Sequence, residues 1–338
     1  MKISKLLPIF MLLFLAISCT RVKTINKKEH SFNSYPERLI FLQIPGLSEE
    51  HLAYLRYKKP LFRHQTWSES FTCFGKMWRH NLHELRPSVE DSLVSQITGH
   101  YGSNKTCDLY AEVPLWSVLE KFNYQSAVVE RNRSQGVERA LKCNDKFYDE
   151  STVFVSSVGT GKLSQEYFHV EREKEYLKNK IYLDESCSKA KCFSKSSSVF
   201  FHVWNSLVER PKKLLVFKDY SLINAINSNN SAAFFEYLEE LSKLIADING
   251  TIVSRNPNTT LVVSSTSPQR IKWPRSSKTW KGINLAKSTT GEELMAPIWA
   301  TGAMAENFCG VYSEVDVFNR LFWRPQKTRL PLLDALDF

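Results

Sequence analysis

Residues 38–48 read RLIFLQIPGLS, and the fold turns on how this stretch ends. Leu39 to Gln43, with Ile44 closing the run, is apolar or strand-favouring, and Pro45-Gly46 stops it at a turn. A short apolar run ended this abruptly predicts a buried strand. In open α/β sheets the C-terminal end of a first strand is where ligand groups are mounted. Proline brings no side-chain donor atom to such a place.

Working outward, strand patterns alternate with helical ones. The segment 112–122 (EVPLWSVLEKF) has helical apolar spacing, Ser126–Glu130 and Thr152–Ser156 read as short strands, and Phe200–Leu207 is helical in pattern. Lys213–Phe217 then predicts a strand, and 231–249 (SAAFFEYLEELSKLIADIN) a strongly amphipathic helix. A turn at Asn256-Pro257-Asn258 leads into a strand over Thr259–Ser264. This alternation predicts a three-layer α/β/α sandwich around a mainly parallel sheet. Nothing between residues 35 and 338 has linker composition, so one domain is expected there.

The N-terminus has a different character. Lys2 and Lys5 precede the apolar run Leu6–Ile17, which closes in Ala16-Ile17-Ser18-Cys19. A basic head, a short apolar stretch and small residues before a cysteine make a secretory signal over 1–18, and the cysteine makes it resemble a bacterial lipobox. In that reading the cut precedes Cys19, a lipid joins its sulfur, and Ala16 stands where leucine is more usual. Residues 19–34, rich in Lys, Asn and Ser, are then a tether to a membrane. Thr20 after the cysteine is compatible with an outer-membrane address.

Removing residues 1–18 leaves 43 basic and 35 acidic residues, spread along the chain with local clusters at 171–180, 210–213 and 270–287. This dispersion argues against nucleic-acid binding, which needs a dense patch with interleaved aromatics. With Cys19 lipidated, six cysteines remain, an even set suited to an oxidising compartment. Cys187 and Cys192 enclose a short segment and form a plausible local disulfide, whereas Cys73, Cys107, Cys143 and Cys309 allow three pairings. No cysteine or histidine cluster has the spacing of a zinc site.

The order of these pieces resembles the alkaline phosphatase superfamily, which includes phosphodiesterases and sulfatases. Members begin with a strand ending in Asp-Gly, where this chain has Ile44-Pro45-Gly46-Leu47. They continue with a Pro-rich nucleophile segment ending in Thr-Gly, here RPSVEDSLVSQITG at 86–99, then a helix and strand like PLWSVLEKFNYQSAVVE at 114–130. A later strand carries Asp-His-Gly, matched by LVVSSTSP at 261–268. The tail from Thr289 to Phe322, TTGEELMAPIWATGAMAENFCGVYSEVDVFNRLF, matches most closely. The resemblance covers most of 38–322 and implies a fold whose enzymes hold two divalent metal ions, such as zinc. Those ions clamp the attacking and leaving oxygens of a phosphoester or sulfoester, and are held by carboxylates and imidazoles at strand ends.

Those ligands are not carried over. The first-strand aspartate corresponds to Pro45, and the Asp-His pair falls on Thr266 and Ser267. The last histidine falls on Thr289, or on Ser288 if the match slips by one. The Asp-x-x-x-His pair after Lys213–Phe217 keeps Asp219 and has Ile223 for histidine. Independently of any alignment, all eight histidines lie at or before position 202, ahead of the segments that supply the family's metal histidines. Counting back from Thr98-Gly99 puts the nucleophile on Val89. Ser88 takes that role only with a one-residue insertion, and Ser92 is a further hydroxyl. Without metal or base, Ser88 is an ordinary hydroxyl, suited to capping the helix that Val89-Glu90-Asp91 begins.

Other constellations read as ordinary structure. His80 and His83 would share a face if helical and could hold zinc with His64 or Glu84, but no HExxH accompanies them, and an exposed pair beside Trp78 and Arg79 is the simpler expectation. SSVGTGK at 156–162 departs from a phosphate loop at Ser156 and at Leu163, and reads as a turn. Trp273, Trp280 and Trp299, beside basic residues, are candidates to line a ligand cleft.

These readings lead to an envelope lipoprotein with no metal cofactor, acting on an envelope protein or an anionic ligand as a non-catalytic binding protein. One alternative is a metal-dependent ester hydrolase rebuilt from Asp219, Asp91, Glu90 and Ser88 or Ser92. The other is a structural protein that keeps only the scaffold.

Overall fold

The computed structural model describes residues 36–58, 66–80, 84–102, 107–133, 138–148, 152–157, 165–168, 181–184, 187–188, 191–192 and 194–321. The signal segment, Cys19, the tether, His64, His83 and the Gly-Thr-Gly-Lys stretch at 159–162 lie outside them.

In chain order the strands are β1 (Arg38–Pro45), β2 (Cys73–Trp78), β3 (Tyr124–Arg131), β4 (Thr152–Ser156), β5 (Gln165–Phe168), β6 (Ile181–Asp184), β7 (Cys187–Ser188) and β8 (Lys191–Cys192). They continue with β9 (Lys212–Asp219), β10 (Thr259–Thr266), β11 (Gln269–Ile271), β12 (Thr289–Glu292), β13 (Met295–Gly302) and β14 (Gly310–Ser313). Ten of them form one sheet in the order β14-β2-β13-β10-β1-β9-β3-β4-β6-β5. Only the pairings of β13, with β10 and with β2, are antiparallel. The expected mainly parallel sheet is therefore present, with β1 at its centre.

β1 shows why the chain folds this way. Ile40, Leu42 and Ile44 belong to one core with Phe234, Leu238 and Leu241 of the helix Ser231–Ile248. Leu39 and Phe41 belong to a second core on the other face, with Val94 and Ile97 of the helix Val89–Thr98 and with Trp116. Side chains of a strand alternate in direction, so a run that is apolar on both faces needs a helical layer on each side. Each fully buried aliphatic or aromatic side chain contributes about 1.5–3 kcal/mol, which places most of the stability in these two layers.

The one polar residue inside this run is also accounted for. Gln43 is fully buried, and its amide donates to the Leu93 carbonyl and to Gln96 Oε1, both at 3.1 Å. Gln96 in turn accepts from Ser264 Oγ at 2.8 Å and donates to the Ser265 carbonyl at 3.3 Å. The helix Val89–Thr98 is thereby bonded to both β1 and β10.

Several boundaries depart from the sequence reading. The helix expected over 112–122 is confined to Leu115–Glu120, because Pro114 occupies its N-cap. The helix over 231–249 begins at the Asn230 cap, whose side chain accepts from the Ala233 amide, and passes into a π turn at Asn249–Val253. Strands β2, β13 and β14 lie in the tail and loop regions for which no strand was expected. β13 carries Pro297 and β2 alternates buried with exposed residues, so neither reads as a continuous apolar run.

Three disulfides join Cys73 to Cys309, Cys107 to Cys143, and Cys187 to Cys192. The first fastens β2 to the residue just before β14, and the last closes the small β7–β8 hairpin. No helix among the described residues is long and apolar enough to cross a membrane.

Candidate functional site

The C-terminal ends of the parallel strands β1, β10, β9 and β3 lie along one edge of the sheet, and most positions singled out in the sequence gather there. Pro45 is buried and pairs in register with Thr266. Pairing of β1 with β9 stops at Gln43 and Lys218, so Pro45 sits where that ladder has already ended. Gly46 follows with φ +87°, its amide donating to the Thr266 carbonyl at 2.7 Å. A Cβ built at Gly46 would meet Ile223 at 3.2–3.3 Å, so the turn is shaped by glycine on two counts. Thr266 is fully buried, and its hydroxyl has no hydrogen-bond partner among the described residues.

Ser267 takes a left-handed conformation, φ +49°, and its hydroxyl accepts from Arg79 Nη2 at 2.8 Å. Arg79 is completely buried, although its chain neighbour His80 is exposed. It also donates to the Pro87 carbonyl at 2.9 Å and pairs with Glu292. One guanidinium thus joins β2, the β10–β11 turn, β12 and the entry to the helix Val89–Thr98.

Asp219 ends β9 and is fully buried. Its carboxylate accepts from Ser196 Oγ at 2.7 Å, from the Ser221 amide at 2.9 Å and from the Ser221 hydroxyl. Arg131, at the end of β3, lies 4.0 Å away and itself donates to Ser196 Oγ and to the Ser194 carbonyl. Burial, Asp219 and Glu240 together push the nearby Tyr237 phenol well above its ordinary pKa. The aspartate therefore has its hydrogen bonds and its counter-charge supplied by the chain.

Ile223, one turn along the helix Ser221–Asn227, joins Leu93 and Tyr220 in a small buried cluster, with Val89 packed against it. The two residues that the resemblance assigns to a metal histidine and to the nucleophile thus meet as hydrocarbon. Ser88 is the N-cap of the helix Val89–Thr98: its hydroxyl accepts from the Asp91 amide at 3.2 Å and donates to the Asp91 carboxylate at 2.8 Å. Thr289 lies apart from these groups, in β12, and donates to the Leu285 carbonyl at 2.7 Å.

Ser92 donates to Glu314 at 3.2 Å. Burial pushes the Glu314 carboxyl up to about 8, opposed by Arg79 and by the Ser92 bond. Glu90 is held by Arg133 at 3.2 Å and by the hydroxyls of Tyr110 and Tyr220 at 3.2 and 3.0 Å. Glu130 is buried with Arg133 at 2.8 Å and Lys218 at 3.2 Å, and these two cations hold its carboxyl below the usual range despite its desolvation. The result is a closed, charge-balanced network rather than a set of free acids and bases.

The family's two-metal chemistry requires several hard donors converging on open positions. At the positions that the resemblance assigns to ligands, the chain has Pro45, Ile223, Thr266, Ser267 and Thr289, with Asp219 already bonded to Arg131, Ser196 and Ser221. This donor set does not fit two divalent ions. A separate group of Asp184, Cys187 and Cys192 has ligand atoms near one another, but both sulfurs are in a disulfide and offer no thiolate.

Beside this edge, a groove of about 770 Å³ runs between β2 and the β11–β12 hairpin. Much of its charged lining is paired: Lys76 with Glu49 at 2.9 Å, and Arg270 with Glu50 and with Glu293, each at 3.4 Å. The tryptophans expected around a cleft are elsewhere. Trp299 is buried against Trp67, and Trp273 stacks on Tyr54 beside Trp280. His80 is exposed in the loop after β2, 5.9 Å from Trp78. The residues that sequence reasoning missed are Arg79 and Arg131. Their burial could have been read only from neighbours brought in by β12 and by the helix Ser196–Ser206.

No protein-family model matches the chain, and no curated protein matches it in sequence. Solved structures do match. Alkaline phosphatase from a Shewanella psychrophile superposes with a TM-score of 0.65 at 12% identity, over 86% of this chain and 100% of that one. The enzyme from the Antarctic bacterium TAB5 gives 0.64 at 11% identity, over 86% and 98%. The Thermus thermophilus enzyme gives 0.63 at 11% identity, over 94% and 99%. Identities this low speak to architecture alone, and with the strand order and layers described above they give this chain an alkaline-phosphatase-like fold.

Proposed function

We propose that the chain is a non-catalytic binding protein of a bacterial envelope, anchored through a lipid on Cys19 and built on the alkaline-phosphatase-like scaffold without its metal chemistry. One observation carries the reading: Asp219, the one carboxylate at the positions the resemblance assigns to ligands, is already satisfied by Arg131, Ser196 and Ser221, and Ile223 and Val89 are packed with each other in a separate apolar cluster. Removing a buried charge from such an arrangement to free it for a metal would cost several kcal/mol. The groove between β2 and the β11–β12 hairpin is the surface offered to an envelope protein or an anionic ligand. Its size suits a small ligand or a peptide segment, and its paired charges suit a polar one.

The alternative of a rebuilt hydrolase draws no support from the geometry, since Glu90, Asp91 and Asp219 each hold a hydrogen-bonded partner and Ser88 caps a helix.

The test is elemental analysis of the chain from Thr20 onward, purified without chelator and then offered zinc. Fewer than about 0.2 zinc ions per chain, with no turnover of aryl phosphate or sulfate esters, is the expected result. Two bound ions abolished by Asp219→Ala would overturn the reading. The anchor is tested separately, by mass spectrometry of the membrane-extracted N-terminal peptide and by release of a Cys19→Ser variant.

A further inference from the structure

The opposite edge of the sheet has a different character. There the loops leading into β1, β3, β9 and β10, with the first residues of those strands, carry Arg38, Lys121, Arg210, Lys212, Lys213 and Arg255, against Glu37, Glu120 and Glu209. Between them stand two exposed apolar side chains, Phe122 at 52% and Val208 at 69% exposure. Lys212 Nζ donates to the Phe122 carbonyl and Arg210 to the Tyr124 carbonyl, so these cations and the apolar tip of Phe122 belong to one surface.

On this edge a pocket of about 400 Å³ is lined by Arg38, Lys213, Trp204, Asn205, Thr251 and Asn256. Arg38 and Lys213 are cross-strand partners in the β1–β9 ladder, and neither forms an ion pair among the described residues. Like charges opposite one another in a sheet are destabilising, and the arrangement is relieved when an anion lies between them. Lys213 Nζ lies 5.5 Å over the Trp204 ring, which fixes its direction. Burial first, and then Arg38, lower the Lys213 pKa, as expected for a cation facing another without a carboxylate.

We propose that this edge docks on an anionic membrane, with Arg38 and Lys213 receiving the phosphate of a lipid headgroup and Phe122 and Val208 entering the acyl boundary. The tether argues for a bilayer as the occupant, and to that extent the proposal rests on the anchored reading. Sixteen residues, 20–35, separate Cys19 from Pro36, which enters this same edge beside Arg38. Sixteen residues reach at most about 55 Å, which limits how far this edge can stand from the bilayer. Basic groups at a surface, each with its own attraction to anionic lipid, then act together with the inserted side chains. The groove between β2 and the β11–β12 hairpin faces away from the membrane as a result.

The experiment uses the unlipidated chain from Thr20, sedimented with phosphatidylglycerol-containing vesicles and with pure phosphatidylcholine vesicles. Binding to the first only, weakening with salt, is expected. Arg38→Gln with Lys213→Gln should reduce affinity by about thirtyfold, and Phe122→Ser by about tenfold. Lys272→Gln, on the far edge, should leave binding unchanged. Near-UV circular dichroism confirms that each variant is folded. No preference for phosphatidylglycerol, or unchanged binding by the folded double variant, would overturn the proposal. Capture of inorganic phosphate by the pocket without vesicle binding would assign it to a free anion instead. Because the chain tested has no lipid, these outcomes are independent of whether Cys19 is modified.

Discussion

Replacing Glu314 with glutamine should remove most of the alkaline sensitivity of this fold. Glu314 is fully buried, and burial pushes its carboxyl up to about 8 from an ordinary 4.5. Above pH 4.5 the unfolded chain gives up this proton while the folded chain keeps it. The unfolded state then binds fewer protons, and stability falls as pH rises, by about 1.4 kcal/mol per unit until pH 8. His51 acts in the opposite sense. It is fully buried between Phe234 and Trp273, and burial lowers its pKa from 6.5 to about 3. Between those values the unfolded chain binds the extra proton, so stability rises with pH at a similar slope. The two contributions cancel from pH 4.5 to 6.5. Below 4.5 His51 acts alone, and between 6.5 and 8 Glu314 alone lowers stability by about 2 kcal/mol. Urea denaturation at half-unit pH steps, with disulfides intact, should show a plateau over pH 4.5–6.5 followed by this decline. In Glu314→Gln the decline should disappear and stability should rise from pH 4.5 to 6.5. A variant that keeps the same loss above pH 6.5 would refute the assignment of that proton to Glu314.

Lys218→Met should destabilise the chain by about 3 kcal/mol in urea titration, because it leaves Glu130 buried with only Arg133; an unchanged midpoint would show the pair to be dispensable. Gly46→Ala should cost about 1–2 kcal/mol, since φ +87° is strained for alanine and the added Cβ meets Ile223, and calorimetry would register the lowered Tm. Removing the Cys73–Cys309 bond by double serine substitution should cost about 2–4 kcal/mol, whereas the equivalent change at Cys187–Cys192, which closes only a 5-residue separation, should cost the least of the three. Phe234→Ala should lose about 3–5 kcal/mol by opening a cavity under β1.

Much of the architecture was legible because the central strands are buried on both faces. Leu39–Ile44, Lys213–Phe217 and Thr259–Ser264 announce themselves as apolar runs, and the helix at 231–248 by its spacing. Strands β2 and β13 were not legible as strands, since Gly75 and Pro297 interrupt them and their neighbours are distant in sequence. At the candidate site, residue types could be read but not their engagement. That Asp219 is enclosed by Ser196, Ser221 and Arg131 depends on β3, β9 and the helix Ser196–Ser206 converging at one edge. That convergence is a property of topology, which no local pattern encodes. The same holds for Arg79, whose partners at Pro87, Ser267 and Glu292 come from three separate stretches.

The Arg131–Asp219 arrangement has a consequence for how the charge at this end of the sheet is kept in balance. A cation bound as an ion can be withdrawn by competitors, and its loss exposes the carboxylates that held it. A guanidinium is covalently part of the polypeptide, so it cannot dissociate or be exchanged, and it stays charged throughout the physiological pH range. The charge balance at this end of the sheet is therefore fixed when the polypeptide folds. Chelators, phosphate or a metal-poor medium leave this Arg131–Asp219 contact untouched.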